Sequence, residues 1–426
     1  MKQYIDLHMH SKYARACSAQ LNLDNIEKYA RIKGLSIVGT GDISHPKWTD
    51  EIRKELIEDG TGILKSKTGF NFVLQGELSL MYSQGGKGRR VHFVYLVPDL
   101  DTLKQVNAAL IKKGRLDYDG RPIFGMSSME FVDMMMDISK DIEIIGAHIW
   151  TPWFGLFGSM SGFDSVEECF QDRSKYIHAL ETGLSSDPMM NWRLSSLDNY
   201  ALVSFSDSHS FWPWRIGREA TIVDIKPVYK ELIRAIRTKE GLTATIEVDP
   251  NFGKYHYTGH RNCNISLDPS NSKKFKDICP VCGRKLTVGV LQRVEELADR
   301  AEGTIPKGAI PYYSLIPLSE LISVVLKRAI SSKDVWQIYH SLLNGRTEIE
   351  VLLETPYEEL KAASNEKIAE IITQNREGKI KIKPGYDGVY GVPLIDESEE
   401  EEYAKETKQA ITKYKQKQTG LQEFMS

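Results

Sequence analysis

The sequence predicts an α/β protein in which strands and helices alternate over about the first 248 residues. Three observations lead to this prediction. Short apolar runs recur with the length of buried strands. Segments with the spacing of amphipathic helices lie between them. Metal-binding residue types follow the runs directly, as expected where the carboxyl ends of parallel strands meet on one face. This repetition favours a barrel or a doubly wound sheet.

The first helix is the most clearly marked element. Residues 22–34 have helical spacing, with Asp24 as the expected N-cap and Gly34 just beyond the end. Further elements are expected at residues 36–40 (strand), 129–138 (helix), 142–145 (strand) and 228–237 (helix).

Five apolar runs are followed by candidate metal ligands. These are His8 and His10, then Asp42 and His45, then Glu77, then His148, and finally Asp207 and His209. One histidine after a strand is more often a core residue than a ligand. Five strands that end this way predict a polynuclear metal site. Within each pair spaced by two residues, a continuing strand would point both side chains to one side.

A mixed set of imidazoles and carboxylates accommodates zinc, manganese or magnesium. Two or three such ions can activate water and bind phosphoryl oxygens, so the expected reaction is phosphoester hydrolysis. The candidate catalytic residues are His8, His10, Glu77, Asp207 and Asp42. The general acid stays open, with Asp42 one candidate.

Composition agrees with a cytoplasmic enzyme of two or three domains. The 426 residues are 41% hydrophobic and 27% charged, without an apolar run of membrane-spanning length or a secretory signal. The net charge of −3 gives no global nucleic-acid signature, but residues 254–285 contain seven Lys and Arg against two Asp.

A second metal site is expected in residues 249–305. His260, Cys263, Cys279 and Cys282 form two pairs with the spacing of a tetrahedral zinc site. Four protein ligands leave no open position, which predicts a structural zinc. His256 is an alternative to His260, and a redox role for the last two cysteines is a less favoured alternative. Cys17 and Cys169 are expected to be packing residues.

Two aromatic loops follow His148 and His209 and are expected to overhang the metals. The candidate nucleic-acid contacts in them are Trp150, Pro152, Trp153, Phe154, Trp212 and Arg215. The alternative is that the rings only fill the top of the barrel. Arg15 is a candidate phosphate ligand or, equally, a surface cation.

The C-terminal part has three features. Residues 306–395 predict a helical domain with a hairpin near residues 384–388, and residues 396–426 begin with an acidic run. Gln418, Leu421, Phe424 and Met425 resemble the box through which proteins bind the sliding clamp, the proliferating cell nuclear antigen.

The ligand motifs together resemble the polymerase and histidinol phosphatase (PHP) superfamily. The resemblance rests on residues 6–11, 40–45, 76–77 and 206–209, with His92 and His148. It implies a distorted (β/α)7 barrel, followed here by the zinc-binding module and the helical C-terminal domain. It also implies two or three metals. His8, His10, Glu77 and Asp207 would hold one, Glu77, His92 and His148 a second, and His45 and His209 a third. The chain departs from the family at Asp42-Ile-Ser-His45, where an adjacent Asp-His pair is common.

Blocks at residues 150–155, 181–193 and 286–300, together with the cysteine module, resemble the archaeal endonuclease Q family, which has relatives in bacteria. This resemblance implies an endonuclease that nicks DNA 5′ of deaminated bases, such as hypoxanthine, uracil and xanthine, and of abasic sites. It adds Ser186, Asn191 and Arg193 to the candidate lesion-binding residues. Two alternatives remain: a small-molecule phosphoesterase of the histidinol-phosphatase type, and a non-catalytic DNA-binding protein tethered to the clamp.

Overall fold

The computed structural model describes residues 2–394. The strands are β1 (Lys2–Asp6), β2 (Ile37–Gly39), β3 (Leu64–Lys65), β4 (Asn71–Gln84), β5 (Lys87–Val97), β6 (Ile123–Phe124), β7 (Glu143–Gly146), β8 (Ala179–Glu181), β9 (Ala201–Val203), β10 (Ala220–Asp224), β11 (Leu242–Glu247), β12 (Thr258–His260), β13 (Ile265–Leu267), β14 (Tyr312–Ser314), β15 (Lys381–Lys383) and β16 (Val392–Leu394).

The α-helices are α1 (Leu23–Lys33), α2 (Pro46–Glu55), α3 (Leu100–Leu110), α4 (Ser128–Ile138), α5 (Val166–Phe170), α6 (Pro188–Asn191), α7 (Tyr229–Thr238), α8 (Pro269–Lys274), α9 (Val290–Leu297), α10 (Leu318–Leu326), α11 (Lys333–Leu343), α12 (Glu348–Leu353), α13 (Tyr357–Ala363) and α14 (Glu366–Arg376). Short 3-10 helices cover Gln171–Tyr176, Ser195–Leu197, Pro250–Phe252 and Arg261–Cys263.

Seven neighbouring strands form a barrel, in the order β1-β2-β4-β5-β7-β8-β9. The sheet curls until the segment after β9 meets the segment after β1, where the His10 amide donates to the Ser208 carbonyl at 3.0 Å and the Ser208 amide to the His8 carbonyl at 3.3 Å. The distortion comes from β5, which runs antiparallel to both β4 and β7. The predicted distorted barrel is therefore confirmed.

The sheet also continues past β1 through β10, β11 and β14. β14 pairs in parallel with β11, with Thr245 opposite Tyr312. Residues 312–314 therefore belong to the sheet, although the boundary expected at residue 306 assigns them to the helical domain. A strand of three residues gives too short a pattern to be recognised, and its position depends on the partner strand.

The first helix illustrates how local signals decide an element. Its N-cap is Asn22, whose side-chain oxygen accepts from the Asn25 amide at 3.0 Å, so the expected N-cap at Asp24 is wrong. Asp24 lies in the first turn, where its charge suits the helix dipole. Gly34 ends the helix with a left-handed φ of 103°, as expected.

The remaining chain packs against the barrel, where α9 contacts α6 and α12 contacts α1. The β12–β13 hairpin, α8 and α9 form the cysteine module, and α10 to α14 form the helical region. β15 and β16 pair antiparallel, which confirms the expected hairpin. Within residues 2–394, no helix combines the length and apolar character needed to cross a membrane. The acidic run and the clamp box, including Gln418, Leu421, Phe424 and Met425, lie outside the described residues.

Candidate metal centre

Two groups of ligand side chains meet at Glu77. The first contains His8, His10, Glu77 and Asp207, the second contains Glu77, His92 and His148, and the ligand atoms in each lie within 4.8 Å of one another. Glu77 Oε2 is 3.3 Å from His8 Nε2 and 3.1 Å from His10 Nε2. Glu77 Oε1 is 2.8 Å from His92 Nδ1 and 3.4 Å from His148 Nε2. One carboxylate thus faces both groups, as the family resemblance implies.

The long β4–β5 hairpin places two of these residues. Glu77 lies within β4 and not at its end, contrary to the expectation, and His92 lies within β5. Glu77 is opposite Val94 and Ser79 is opposite His92, so Glu77 and His92 are diagonal neighbours across the pair. Because β5 is antiparallel, its beginning reaches the face where the parallel strands end.

Three residues of the site have an unusual backbone conformation. Asp42, His148 and Asp207 have positive φ values of 47°, 30° and 46°. Residues other than glycine rarely adopt this conformation, and it is concentrated at functional sites.

Two buried carboxylates orient the first pair of histidines. Glu181, the last residue of β8, accepts from His8 Nδ1 at 2.8 Å and, through its other oxygen, from the His148 amide at 2.6 Å. Asp42 Oδ1 accepts from His10 Nδ1 at 2.9 Å. A proton held on Nδ1 leaves the Nε2 lone pair free for a metal.

These contacts change two interpretations from the sequence. Both oxygens of Asp42 are used, because Oδ2 accepts from the amide and hydroxyl of Ser11 at 2.6 Å, so Asp42 is poorly placed as a general acid. Glu181 was not proposed as a site residue, although it stands at a strand end like the other candidates. Strand-end position was the signal that would have found it.

Electrostatics bind the centre together. Burial opposes a charge on His8 and on His10, but the surrounding carboxylates outweigh it and raise the pKa of both imidazoles well above the usual range. The site therefore favours a positive charge at Nε2 of these rings, which a metal ion would supply in place of a proton. Burial alone would raise the pKa of Glu77, yet Arg121, His92 and His8 lower it well below normal. Arg121, a residue that sequence reasoning missed, donates to Glu77 Oε2 at 2.9 Å.

The donor set fits divalent metal ions. His8 Nε2 and Glu77 Oε1 are buried close to the other ligand atoms, but neither makes a hydrogen bond of good geometry with the described residues. Buried polar atoms normally have a partner, and an ion between the imidazoles and carboxylates would provide one for both.

The third predicted ligand pair, His45 and His209, does not form a ligand group in the described residues. The His45 ring stacks on Tyr13 with centroids 4.3 Å apart, and the His209 ring lies 4.1 Å from that of His10. Among residues 2–394, no group of three close ligand atoms includes His45 or His209.

A cleft of about 730 Å³ opens beside the ligands. Its wall includes Pro152, Trp153, Phe154 and Arg215 from the predicted contacts, together with Arg90, Arg218, Lys254, Tyr255 and Tyr390. The Phe154 ring packs over His92 with centroids 4.4 Å apart. Cations and aromatic rings thus surround the ligand groups.

Three of the predicted DNA contacts, Trp150, Ser186 and Asn191, are buried and do not line the cleft. Trp150 is fully buried, and its indole donates to Asn191 Oδ1 at 2.8 Å. The Asn191 amide donates to Ser186 Oγ at 3.1 Å, and both residues are buried. A direct lesion contact by these three side chains does not match their burial. The glycine-rich loop folds Trp150 inward, which periodicity could not reveal.

Three further candidates also lie away from the cleft wall. The Arg193 carbonyl accepts from the amides of Asp299 and Arg300, both at 3.1 Å. Trp212 stacks on Trp214 with centroids 5.1 Å apart and contacts Trp336 of α11, which joins the barrel to the helical region. The side chain of Arg15 is 76% exposed and pairs with Asp119, as a surface cation does.

The cysteine module assembles the expected second site. The ligand atoms of His260, Cys263, Cys279 and Cys282 lie within 4.8 Å of one another. His260 Nδ1 is 3.4 Å from Cys282 Sγ. The rival ligand His256 is buried outside this group. The backbone amide of Arg284 lowers the pKa of Cys282, which favours the thiolate that a zinc ion requires.

The seven-stranded barrel and the ligand groups joined at Glu77 define the class: this protein is a PHP-type metal-dependent hydrolase. Solved structures narrow the assignment. The lesion-specific endonuclease PfuEndoQ from Pyrococcus furiosus is 31% identical with a TM-score of 0.83, covering 94% of this chain and 96% of that one. An endonuclease Q complex with a 27-mer duplex bearing an abasic lesion is 32% identical with a TM-score of 0.84, covering 94% and 98%. The chain belongs to the endonuclease Q family.

Two further comparisons connect the chain to the protein MJ0043. The family model of the MJ0043 C-terminal domain matches residues 317–379. The uncharacterized protein MJ0043 of Methanocaldococcus jannaschii is 34% identical over 295 residues, which cover 67% of this chain and 35% of that protein. The chain thus spans about a third of the length of this relative.

Proposed function

We propose that this protein is a metal-dependent DNA repair endonuclease. It hydrolyses the phosphodiester on the 5′ side of a damaged base, and its substrates are hypoxanthine, uracil, xanthine and abasic sites in DNA. The observation that carries the proposal is the cleft lined by cations and aromatic rings beside the two ligand groups. The related endonuclease Q complex supports duplex DNA with an abasic lesion as a substrate.

The chemistry follows from the ligand set. The first and second groups would each hold a divalent ion, and such ions would supply Lewis acidity for hydrolysis of the phosphodiester. Glu181 and Asp42 accept from Nδ1 of His8 and His10 and so leave Nε2 of both rings available as a ligand atom. Arg121, partly exposed beside Glu77, offers a planar guanidinium for a phosphate oxygen.

The cleft suits a nucleotide taken out of the base stack. An enzyme that reads one damaged base in a duplex must unstack it and hold it against apolar faces. Trp153, Phe154 and Tyr255 provide such faces next to the ligands, and Arg90 and Lys254 provide charge for the DNA backbone.

Nuclease assays test the proposal. End-labelled duplexes that contain inosine, uracil, xanthine, an abasic site or no lesion are incubated with Mn²⁺, Mg²⁺ or Zn²⁺. We expect cuts on the 5′ side of the lesion in the wild type, loss of cleavage with retained binding in His8→Ala, and normal cleavage in the surface control His340→Ala. Cleavage of histidinol phosphate without cleavage of any duplex would favour the small-molecule phosphoesterase. Binding without hydrolysis of either substrate would favour the non-catalytic alternative.

The clamp box is a separate proposal, supported by the spacing of Gln418, Leu421, Phe424 and Met425. One short turn would present the apolar side chains to a pocket on the clamp. Titration of the proliferating cell nuclear antigen with the full chain, with Phe424→Ala and with a chain lacking residues 418–426 tests it. Equal affinity for all three would refute the proposal.

A further inference from the structure

The β15–β16 hairpin carries an exposed apolar tip on the rim of the cleft. Val389 and Tyr390 before β16 and Val392 at its start, together called the hairpin tip, are 40, 39 and 54% exposed. Tyr390 lines the cleft itself. Its ring lies 4.6 Å from the Lys254 ammonium and 6.1 Å from the Phe252 ring. Grouped exposed apolar side chains next to a functional cleft indicate a contact surface.

The hairpin tip is held firmly on the cysteine module. Asp387 accepts from the Arg261 amide and from the Thr287 hydroxyl, both at 2.7 Å. The backbone also approaches too closely for any side chain at two glycines. A Cβ at Gly385 would lie 2.2 Å from the Gly253 carbonyl oxygen, and one at Gly391 would lie 2.1 Å from that of Asn251. The tip is therefore a rigid projection.

The positive charge around the hairpin tip indicates which ligand contacts it. Arg90, Arg215, Arg218 and Lys254 line the same cleft as Tyr390. A polyanion would neutralise these cations, and stacked bases would pack on the apolar surface between them. Duplex DNA combines both properties.

We propose that Tyr390, supported by Val389 and Val392, is a wedge that packs against the base pair next to the cleft and keeps the duplex open there. This inference rests on the proposed function and adds a residue that acts before the chemical step. Unstacking a nucleotide leaves a gap in the duplex, and apolar side chains that fill such gaps stabilise the opened form.

A comparison of double-stranded and single-stranded substrates tests the wedge. The bases of a single strand are not paired, so cleavage of a single strand should not need the wedge. We expect Tyr390→Ala to lower kcat/KM on a duplex lesion roughly tenfold, in line with the effect of removing one base-stacking ring. The same variant should lose less activity on the same lesion in a single strand, and a circular dichroism spectrum that matches the wild type verifies its fold. Tyr390→Phe keeps the ring and should behave as wild type. Tyr313→Ala removes a ring that is 42% exposed in β14, outside the cleft, and serves as the matched control.

Equal losses on both substrates, or no loss on the duplex, would overturn the wedge. A second readout does not depend on cleavage. 2-Aminopurine beside the lesion becomes fluorescent when it is unstacked, and it is measured in EDTA with saturating protein. We expect the wild type and Tyr390→Phe to raise the signal and Tyr390→Ala to leave it low. If the wild type cut no DNA, the proposed function would fail while this signal would still decide the wedge. An equal signal from all three proteins would reject it.

Discussion

The ammonium of Lys33 in α1 lies 2.7 Å from Glu348 Oε1 in α12, and both side chains are buried. Lys33 also donates to the Pro213 carbonyl at 2.8 Å. Glu348 accepts from the Leu318 amide at 3.1 Å and from the Tyr339 hydroxyl at 2.7 Å. One ion pair thus joins the barrel, the aromatic loop after β9 and three helices of the C-terminal region.

Breaking one side of this pair should be costly. We expect Glu348→Leu to lower the free energy of unfolding by about 3–5 kcal/mol, because it leaves the Lys33 charge buried without its partner. The double variant Lys33→Met with Glu348→Leu should recover much of the loss. The exposed pair of Lys361 and Glu366, also 2.7 Å apart, is the control, and Glu366→Gln should leave the free energy of unfolding nearly unchanged. Guanidinium unfolding measures all three, and purely additive losses in the double variant would contradict the account.

Glu181 gives a second prediction, for metal affinity. Glu181→Gln removes the charge that orients His8 and weakens the bond to the His148 amide. Loss of such a partner typically costs about 10–100-fold in metal affinity. Competition with a fluorescent chelator measures the change, and Glu370→Gln on the exposed face of α14 is the control. Unchanged affinity in Glu181→Gln would remove Glu181 from the metal centre.

The sequence predicted the clustered side chains of the candidate site better than the strands that carry them. Residue type and position after an apolar run were enough to select His8, His10, His148 and Asp207, because those signals are local. Glu77 was selected for the wrong reason, since β4 continues past it into a long hairpin. The length of that hairpin depends on pairing with β5, which no local pattern encodes.

Burial was the main quantity that the sequence could not provide. Trp150 and Trp153 stand in the same aromatic loop, yet Trp150 is in the core while Trp153 lines the cleft. The buried ring of Trp150 contacts Phe157 and donates to Asn191, which is distant in the sequence. Glu181 ends a strand as the selected residues do, but its role became clear only when the fold placed it beside His8.

The cysteine module gives a third prediction. Four protein ligands would make zinc binding part of the folding energy of the module. We expect Cys282→Ser to lose one equivalent of zinc and to lower the Tm, while Cys17→Ser, which changes an isolated cysteine, should do neither. Elemental analysis and calorimetry on the purified full chain measure both effects. Retention of zinc by Cys282→Ser would exclude this site.

The fourth prediction concerns pH. Glu247 is fully buried in β11, and burial raises its pKa to about 8, although hydroxyls of Thr245, Thr182 and Ser204 donate to it. Burial and the neighbouring Glu247 also raise the pKa of Glu219. The folded protein therefore keeps a proton on Glu247 that the unfolded chain loses at about pH 4.3.

The stabilisation from this proton is complete below the unfolded pKa and is lost as pH rises through about 8. Glu247→Gln keeps a neutral side chain of similar shape and cannot ionise. We expect the free energy of unfolding to fall less steeply from pH 5 to pH 8.5 in this variant than in the wild type, by up to about 1.4 kcal/mol per pH unit. Glu219 would retain its own shallower dependence, so the slope should not vanish. Urea titrations at pH 5, 7 and 8.5 measure the difference, and a gap between the two proteins that stays constant with pH would show that Glu247 is ionised in the folded state.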